Sequence, residues 1–153
     1  MAGVTDTLVG QDTIVVNGRS LSNLGYGKVV DISIPTALVE IESGKDGSAI
    51  YAMNQAGRQA EVKIRVLAGS PDDVFLNNLN ESFKSDFASS VLINASFIKR
   101  TGDGQGNITT TTWILSGGVP GNAPADGWDV NGNTEQALME YSFKFSRASR
   151  QLS

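Results

Sequence analysis

The sequence predicts a mainly β protein, an antiparallel β-sandwich or barrel with one flanking α-helix. Several short segments alternate apolar and polar residues, which is the period of a half-buried strand. Glycine is abundant at 17 residues and marks frequent turns. One segment alone repeats its apolar residues at helical spacing. A chain of 153 residues suits one compact domain, so we assign residues 1–153 to a single domain.

The first third of the chain contains three predicted strands. Thr13 to Val16 form the first, and Asn17-Gly18 follows as a dipeptide that favours a two-residue hairpin turn. Residues 28–34 form the second strand, which Pro35 ends. Residues 38–42 form the third. In each of the last two strands, charged residues alternate with apolar ones, so each has one core face and one polar face.

A long segment, SGKDGSAIYAMNQAG at residues 43–57, separates these strands from the rest. It is glycine-rich at both ends and apolar in the middle. Its length exceeds that of a tight hairpin turn, and ordered loops of this length are often functional.

The next segment, AEVKIRVLAGSPDD at residues 60–73, predicts a strand that leads into the helix. Val62, Ile64 and Val66 share one face of the strand. Ser70 is a suitable N-cap and Pro71 fits the first helical position. The acidic residues that follow suit the positive end of the helix dipole. Apolar residues then recur at helical spacing, which predicts a helix over residues 71–84.

Three more strands are predicted in the second half of the chain. Residues 91–98 alternate, and the glycine-rich segment 102–107 predicts a turn into the threonine-rich strand ITTTTWIL. Residues 116–133 read as a long loop. Residues 136–146 form the last strand, and residues 147–153 are expected to be a polar, basic C-terminal tail.

The composition excludes several kinds of catalytic site. The chain has no Cys and no His, so it has no thiolate, no Ser-His-Asp triad and no sulfur or imidazole metal ligand. The adjacent acids Asp72 and Asp73 are explained by helix capping, and Glu40 and Glu42 by a solvated strand face. The acidic segment 126–135 does not match an EF-hand loop and favours an Asx-rich turn. We therefore expect no catalytic residue, no metal and no cofactor.

Charge and hydropathy limit the partners further. A net charge of −4 argues against tight binding to nucleic acid. No apolar run reaches the length of a membrane helix, and the N-terminus lacks the pattern of a secretory signal. We expect a soluble protein made in a cytoplasm.

Polar residues lie opposite the core residues on three predicted strands. If these strands are neighbours, they form a mildly acidic sheet face, which suits either an outer surface or the lining of a water-filled channel. The residues of this predicted face are Asp31, Ser33, Glu40, Glu42, Glu61, Lys63 and Arg65.

The order of these segments resembles the tail tube protein of contractile-tailed bacteriophages. The resemblance rests on the glycine-flanked loop SGKDGSAIYAMNQAG, the charged strand RQAEVKIRVL, the helix SPDDVFLNNLNESF and the closing strand EYSFKF. Tubes of phage-like bacteriocins and of type VI secretion systems share this fold.

The resemblance implies a structural protein and not an enzyme. Six copies would form a ring, and stacked rings would form a hollow tube in the virion tail, assembled in the host cytoplasm. The tail sheath, baseplate, tail terminator and tape measure proteins would be partners, and DNA would pass through without specific binding. The seven polar residues listed above would face the lumen. The loop would contact the adjacent ring through Lys45, Asp46, Ile50, Tyr51, Met53 and Asn54.

Two alternatives remain open at this point. The chain could be a tube subunit of a bacteriocin or of a type VI secretion system, which would have the same fold. It could also be a small carbohydrate-binding or glycoside-cleaving β-sandwich, for which exposed Trp or Tyr side chains would have to line a groove.

Overall fold

The computed structural model describes residues 13–24, 29–122, 124, 130 and 138–153, and it is mainly antiparallel β with one α-helix, α1 (Pro71–Ser85). The predicted fold class is confirmed. A short 3-10 helix spans Gln55–Arg58. The strands in the described residues are β1 (Thr13–Val16), β2 (Arg19–Ser20), β3 (Val30–Ser33), β4 (Val39–Ser43), β5 (Ala49–Met53), β6 (Ala60–Leu67), β7 (Ile93–Gly102), β8 (Ile108–Pro120) and β9 (Leu138–Leu152).

Seven of these strands form one antiparallel sheet in the order β2-β1-β7-β8-β9-β6-β3, and β4 pairs with β5 alone. Ile14 of β1 and Ile64 of β6 lie near opposite ends of that order, yet both belong to one buried apolar cluster. The sheet must therefore curl around a single core. Tyr141, Phe143 and Phe145 of β9 supply the aromatic centre of that core, each exposed by 2% or less.

The helix packs on this core as its sequence predicts. The Ser70 hydroxyl accepts a hydrogen bond from the Asp73 amide at 3.2 Å, and Pro71 occupies the first turn. Leu76 and Phe83 lie about two helical turns apart on the same face of α1, and both are buried against the sheet. Among the described residues no helix is both long enough and apolar enough to cross a membrane.

Two predicted turns are also confirmed. Asn17 and Gly18 have φ angles of 50° and 82°, the left-handed pair that a two-residue hairpin requires, and they join β1 to β2. The 102–107 segment turns β7 into β8, and the Asp103 carboxylate accepts hydrogen bonds from the Gln105 amide at 2.8 Å and the Asn107 side chain at 2.8 Å. Side-chain bonding by Asn107 holds the pKa of Asp103 below its ordinary value.

The largest differences from the prediction lie in three segments. Residues 116–120 belong to β8 and not to a loop, and residues 147–152 continue β9 and are not a tail. The 43–57 segment contains a strand, β5, and most of the 3-10 helix. The predicted final strand began at residue 136, and its first two residues lie outside the described residues.

A bend in β8 and β9 explains why the predicted final strand ended at residue 146, whereas β9 continues to Leu152. The residues of β9 that face the core have odd numbers up to Phe145 and even numbers from Ala148, because Phe145 pairs with Gly118 and Ala148 pairs with Leu115. Relative to β7, β8 carries an extra residue here, and Gly117 has a φ of 67°, as expected of a bulge. The break in alternation resembles the end of a strand in the sequence.

Candidate interaction surfaces

The β4–β5 hairpin, residues 39–53, projects from the body, and we call it the arm. Every residue of both strands is exposed, although seven of the ten are apolar. The cross-strand pairs are Val39 with Met53 and Ile41 with Tyr51 on one face, and Glu40 with Ala52 and Glu42 with Ile50 on the other.

The first of these faces is a continuous apolar surface. Its four large side chains are exposed by 49% (Val39), 64% (Ile41), 70% (Tyr51) and 53% (Met53). A hairpin of two strands is at best marginally stable in water without packing on one face. An uncovered apolar patch of this kind marks an interaction surface.

The turn of the arm is tightly bonded. The Gly44 amide donates to the Ser48 carbonyl at 2.6 Å, and the Ser48 amide donates to the Asp46 carboxylate at 3.0 Å. The bond from the Ser48 backbone lowers the pKa of Asp46 below its ordinary value. Of the residues predicted for the inter-ring loop, Lys45 and Asp46 lie in this turn, Ile50, Tyr51 and Met53 lie in β5, and Asn54 follows it.

The base of the arm is held by backbone contacts. The Asn54 amide donates to the Leu38 carbonyl at 2.7 Å, and the Gly57 amide donates to the Asn54 carbonyl at 3.0 Å. Gly57 is buried against the 37–38 backbone, where an added Cβ would lie 2.5 Å from the Leu38 Cα. The base of the arm therefore contains a close backbone contact that only glycine allows without a shift of the chain.

A second surface is the outer face of β3, β6 and β9, which we call the charged face. Asp31 lies opposite Lys63 and Ser33 opposite Glu61 on β3 and β6, and five of the seven residues of the predicted polar face are here. Glu40 and Glu42 are not, because β4 is not a neighbour of β3 or β6 and belongs to the arm. The assumption that the three strands are neighbours was wrong for β4.

The neighbouring strand β9 adds charges that the sequence analysis did not include. Arg65 pairs with Glu140 at 3.2 Å, and Lys144 approaches Glu61 at 4.0 Å. With Asp31 opposite Lys63, the stretch where β3, β6 and β9 pair carries three acids and three bases in cross-strand arrangement, and these six charges offset one another. The predicted mildly acidic character is therefore wrong. The register of β6 against β9 was the missing information, and no local pattern encodes it.

A third surface is formed where β7, β8 and β9 extend past the core, and we call it the platform. Trp113 lies between Phe97 and Arg150, and Thr111 lies between Lys99 and Leu152, all on the face that continues from the core. Sequence analysis missed this surface because it assigned Arg150 and Leu152 to a tail. The even-numbered alternation Ala148, Arg150, Leu152 was the available signal. The platform consists of Lys99, Thr111, Trp113, Arg150 and Leu152.

A groove of about 240 Å³ runs beside the platform. Lys99, Thr111 and Trp113 line one side, and Val30 and Ile32 of β3 line the other. The groove is thus apolar at its floor and carries a cation at its rim.

The adjacent acids at the start of α1 have structural partners. Asp72 is fully buried, and its carboxylate accepts from the amides of Ser22 at 2.7 Å and Asn23 at 2.6 Å and from Arg19 at 3.1 Å. Asp73 accepts from the Gly69 amide at 2.8 Å and from the Tyr141 hydroxyl. Asp72 therefore does more than complement the helix dipole, since it ties the chain after β2 to the helix.

These contacts give both Asp72 and Asp73 structural partners. In the described part of the chain no group of three metal-ligating side chains comes together, and the acidic segment 126–135 lies almost wholly outside it. The Trp and Tyr side chains that the structure describes do not converge on one groove, since Tyr51 is on the arm, Trp113 on the platform and Tyr141 in the core. Tyr26 and Trp128 lie outside the described residues.

The fold defined by the curled sheet, the helix α1 and the projecting arm is that of tube and tube-terminating components of contractile injection particles. No protein-family model matches the sequence, and no curated protein sequence matches it significantly. The likeness is found in structure alone.

Three solved structures carry this likeness, each over most of both chains. A chain of the sheath–tube complex of an extracellular contractile injection system, PVC, in the extended state has a TM-score of 0.62 and 14% identity over 93% of this chain and 88% of its own. The sheath/tube terminator of that system gives 0.63 and 15% over 96% and 97%. The tube-terminating cap of the anti-feeding prophage gives 0.58 and 9% over 97% of each.

Proposed function

We propose that this protein is a non-enzymatic tube subunit of a contractile tail or injection particle. Copies of the chain form rings, six to a ring, and the rings stack into a hollow tube. The observation that carries the proposal is the arm, which presents a continuous apolar face to solvent on a fold of tube components. Such a face requires a partner, and a repeating assembly supplies one from the next copy.

The charged face supports a role as the lining of the tube. Its acids and bases alternate and offset each other, so a polyanion passing along it meets no continuous field of either sign. Such a lining lets DNA or a folded protein slide without a binding step. The tail tube of a phage and the tube of an injection particle are both compatible with this face.

The sheath, baseplate, terminator and tape measure proteins are the partners that such a tube requires. Two of the three structural neighbours are described as a sheath–tube complex and a sheath/tube terminator. The exposed residues of α1, among them Val74 and Glu81, provide an outer surface on the tube wall for a sheath. The particle is assembled in the cytoplasm of the producing cell and acts outside it.

A terminator is the second candidate, because the terminator structure is as similar as the sheath–tube complex. The two roles differ in how far the chain assembles. A tube subunit stacks without a fixed number of rings, whereas a terminator forms one ring that closes an existing tube.

Electron microscopy of the purified protein over a concentration series tests the proposal. Rings and long hollow tubes are expected, and Ile41→Asp on the apolar face of the arm is expected to abolish stacking. Val74→Asp is the matched control, since Val74 is 56% exposed on α1 and Ile41 is 64% exposed on the arm. Rings that never stack would assign the terminator role, and a monomer at all concentrations would refute both.

A further inference from the structure

We infer that the arm of one copy docks on the platform of another copy, with Glu40 and Glu42 of the arm facing Lys99 and Arg150 of the platform. This inference rests on the proposed function and names the surface that receives the arm. It assigns the partner from charge and from apolar surface on the same chain.

The charges of the two surfaces are opposite. The arm carries Glu40 and Glu42 on its strands and Asp46 with Lys45 in its turn, which gives a net negative charge. The platform carries Lys99 and Arg150 in neighbouring cross-strand rows. Among the described residues of β7, β8 and β9, no acid lies in these two rows. Opposite potentials steer two copies together and fix the register in which they meet.

The apolar surfaces also correspond. The face of the arm that carries Glu40 and Glu42 also carries Ala52 and Ile50, and Ile50 is 57% exposed. The platform offers Trp113 and Leu152 beside a groove lined by Val30 and Ile32. Leu152 is 59% exposed, so the platform too leaves apolar surface in water in the single chain. Docking would remove both surfaces from water together.

The contact joins two different patches, so it is heterologous and repeats from copy to copy. This property makes a charge-exchange experiment possible. The arm variant Glu40→Lys with Glu42→Lys has two positive patches, and the platform variant Lys99→Glu with Arg150→Glu has two negative ones. Each variant alone repels itself, but in an equimolar mixture each arm meets a platform of opposite charge.

The expected result is a critical concentration for assembly at least about tenfold higher for each variant alone, and recovery of most of this loss in the mixture. The matched control is Arg100→Glu with Arg147→Glu, which changes the net charge by the same amount. Arg100 follows Lys99 on β7, and Arg147 lies on the face of β9 opposite to the platform. The control is expected to assemble at nearly the wild-type concentration. Circular dichroism confirms folding of each variant before assembly.

Cross-linking provides a second measurement that does not depend on the charge variants. The natural chain has no Cys, so Glu42→Cys and Arg150→Cys introduce the only thiols. Mixing the two single variants under oxidation is expected to give a disulfide between copies. A mixture of the Glu42→Cys and Arg147→Cys variants is expected to give no such disulfide.

The outcomes separate this inference from the proposed function. A wild-type chain that never assembles refutes the proposed function. A wild-type chain that forms tubes while the folded variants show no recovery on mixing, or while cross-linking favours position 147, overturns the docking of arm on platform alone.

Discussion

Gly57 lies so close to Leu38 that a Cβ at position 57 would stand 2.5 Å from the Leu38 Cα and 2.8 Å from its nitrogen. Real Cβ atoms do not approach backbone so closely, so no other residue fits without moving the chain. Because both residues lie at the base of the arm, this contact couples the entering and leaving segments of the hairpin.

Gly57→Ala is expected to redirect the arm while leaving the body folded. The core cluster does not include Gly57, so thermal unfolding should change little, whereas assembly should require a much higher concentration. Sedimentation velocity with a thermal melt checks both. Gln55→Ala, an exposed change in the same 3-10 helix, is the control. A Gly57→Ala variant that forms normal tubes would show that the direction of the arm is not fixed there.

Asp72→Ala is expected to destabilise the fold by roughly 3 kcal/mol, because it leaves the Ser22 and Asn23 amides and Arg19 without their buried acceptor. Urea unfolding followed by circular dichroism measures the free energy of unfolding. Glu81→Ala removes an acid of α1 whose ion pair with Lys84 is solvent-exposed, and it should change that free energy by less than about 0.5 kcal/mol. Equal effects of the two changes would contradict the role given to burial.

Tyr141→Phe is expected to cost about 1–2 kcal/mol, because the Tyr141 hydroxyl is buried and bonds Asp73 at the start of α1. The ring itself stays packed in the core, so the loss reports the hydrogen bonding of the hydroxyl, which also approaches the Asp73 carbonyl at 3.3 Å. Tyr51→Phe makes the same chemical change on the arm, where the side chain is 70% exposed, and should leave the free energy of unfolding unchanged. Urea unfolding of both variants measures the contrast.

Local patterns in the sequence predicted the elements well. The Ser70 cap, the Pro71 start and the Phe83 spacing specified α1 because caps and helical periodicity involve only neighbours in the chain. The Asn17-Gly18 turn was predicted for the same reason, since its φ angles are a property of those two residues.

The surfaces depended on information that is not local. Whether Glu40 shares a face with Glu61 is decided by which strands pair, and Glu140 joined the charged face through the register of β6 against β9. The platform was hidden by the bend at Gly117, where the alternation of β9 changes phase. Strand pairing and register arise from tertiary packing, so the sequence specified each face of each strand but not the sheet that the faces share.

The bend itself gives a further prediction. Gly118 lies where an added Cβ would stand 2.5 Å from the Phe145 ring and 2.8 Å from the Ile93 carbonyl oxygen. Gly118→Ala is therefore expected to destabilise the fold by roughly 1–3 kcal/mol through overpacking, measured by urea unfolding. Gly106→Ala is a useful comparison, because its position has open space and a φ of 91°, so any loss there reports backbone strain without a clash.

The turn of the arm is expected to respond to pH through Asp46. The Ser48 backbone amide bonds the ionised carboxylate, so the pKa of Asp46 in the folded chain lies below its ordinary value of 3.8. A lowered pKa means that this bond contributes fully when the pH is above the ordinary pKa and is lost as the pH falls through the pKa of the folded chain.

The amide chemical shift of Ser48 in an NMR titration should therefore move at a pH below 3.8. Asp46→Asn should abolish that titration while the Gln105 amide, bonded to Asp103 in the other turn, still titrates. A Ser48 amide that titrates at or above the ordinary value would show that the bond does not hold the turn in solution.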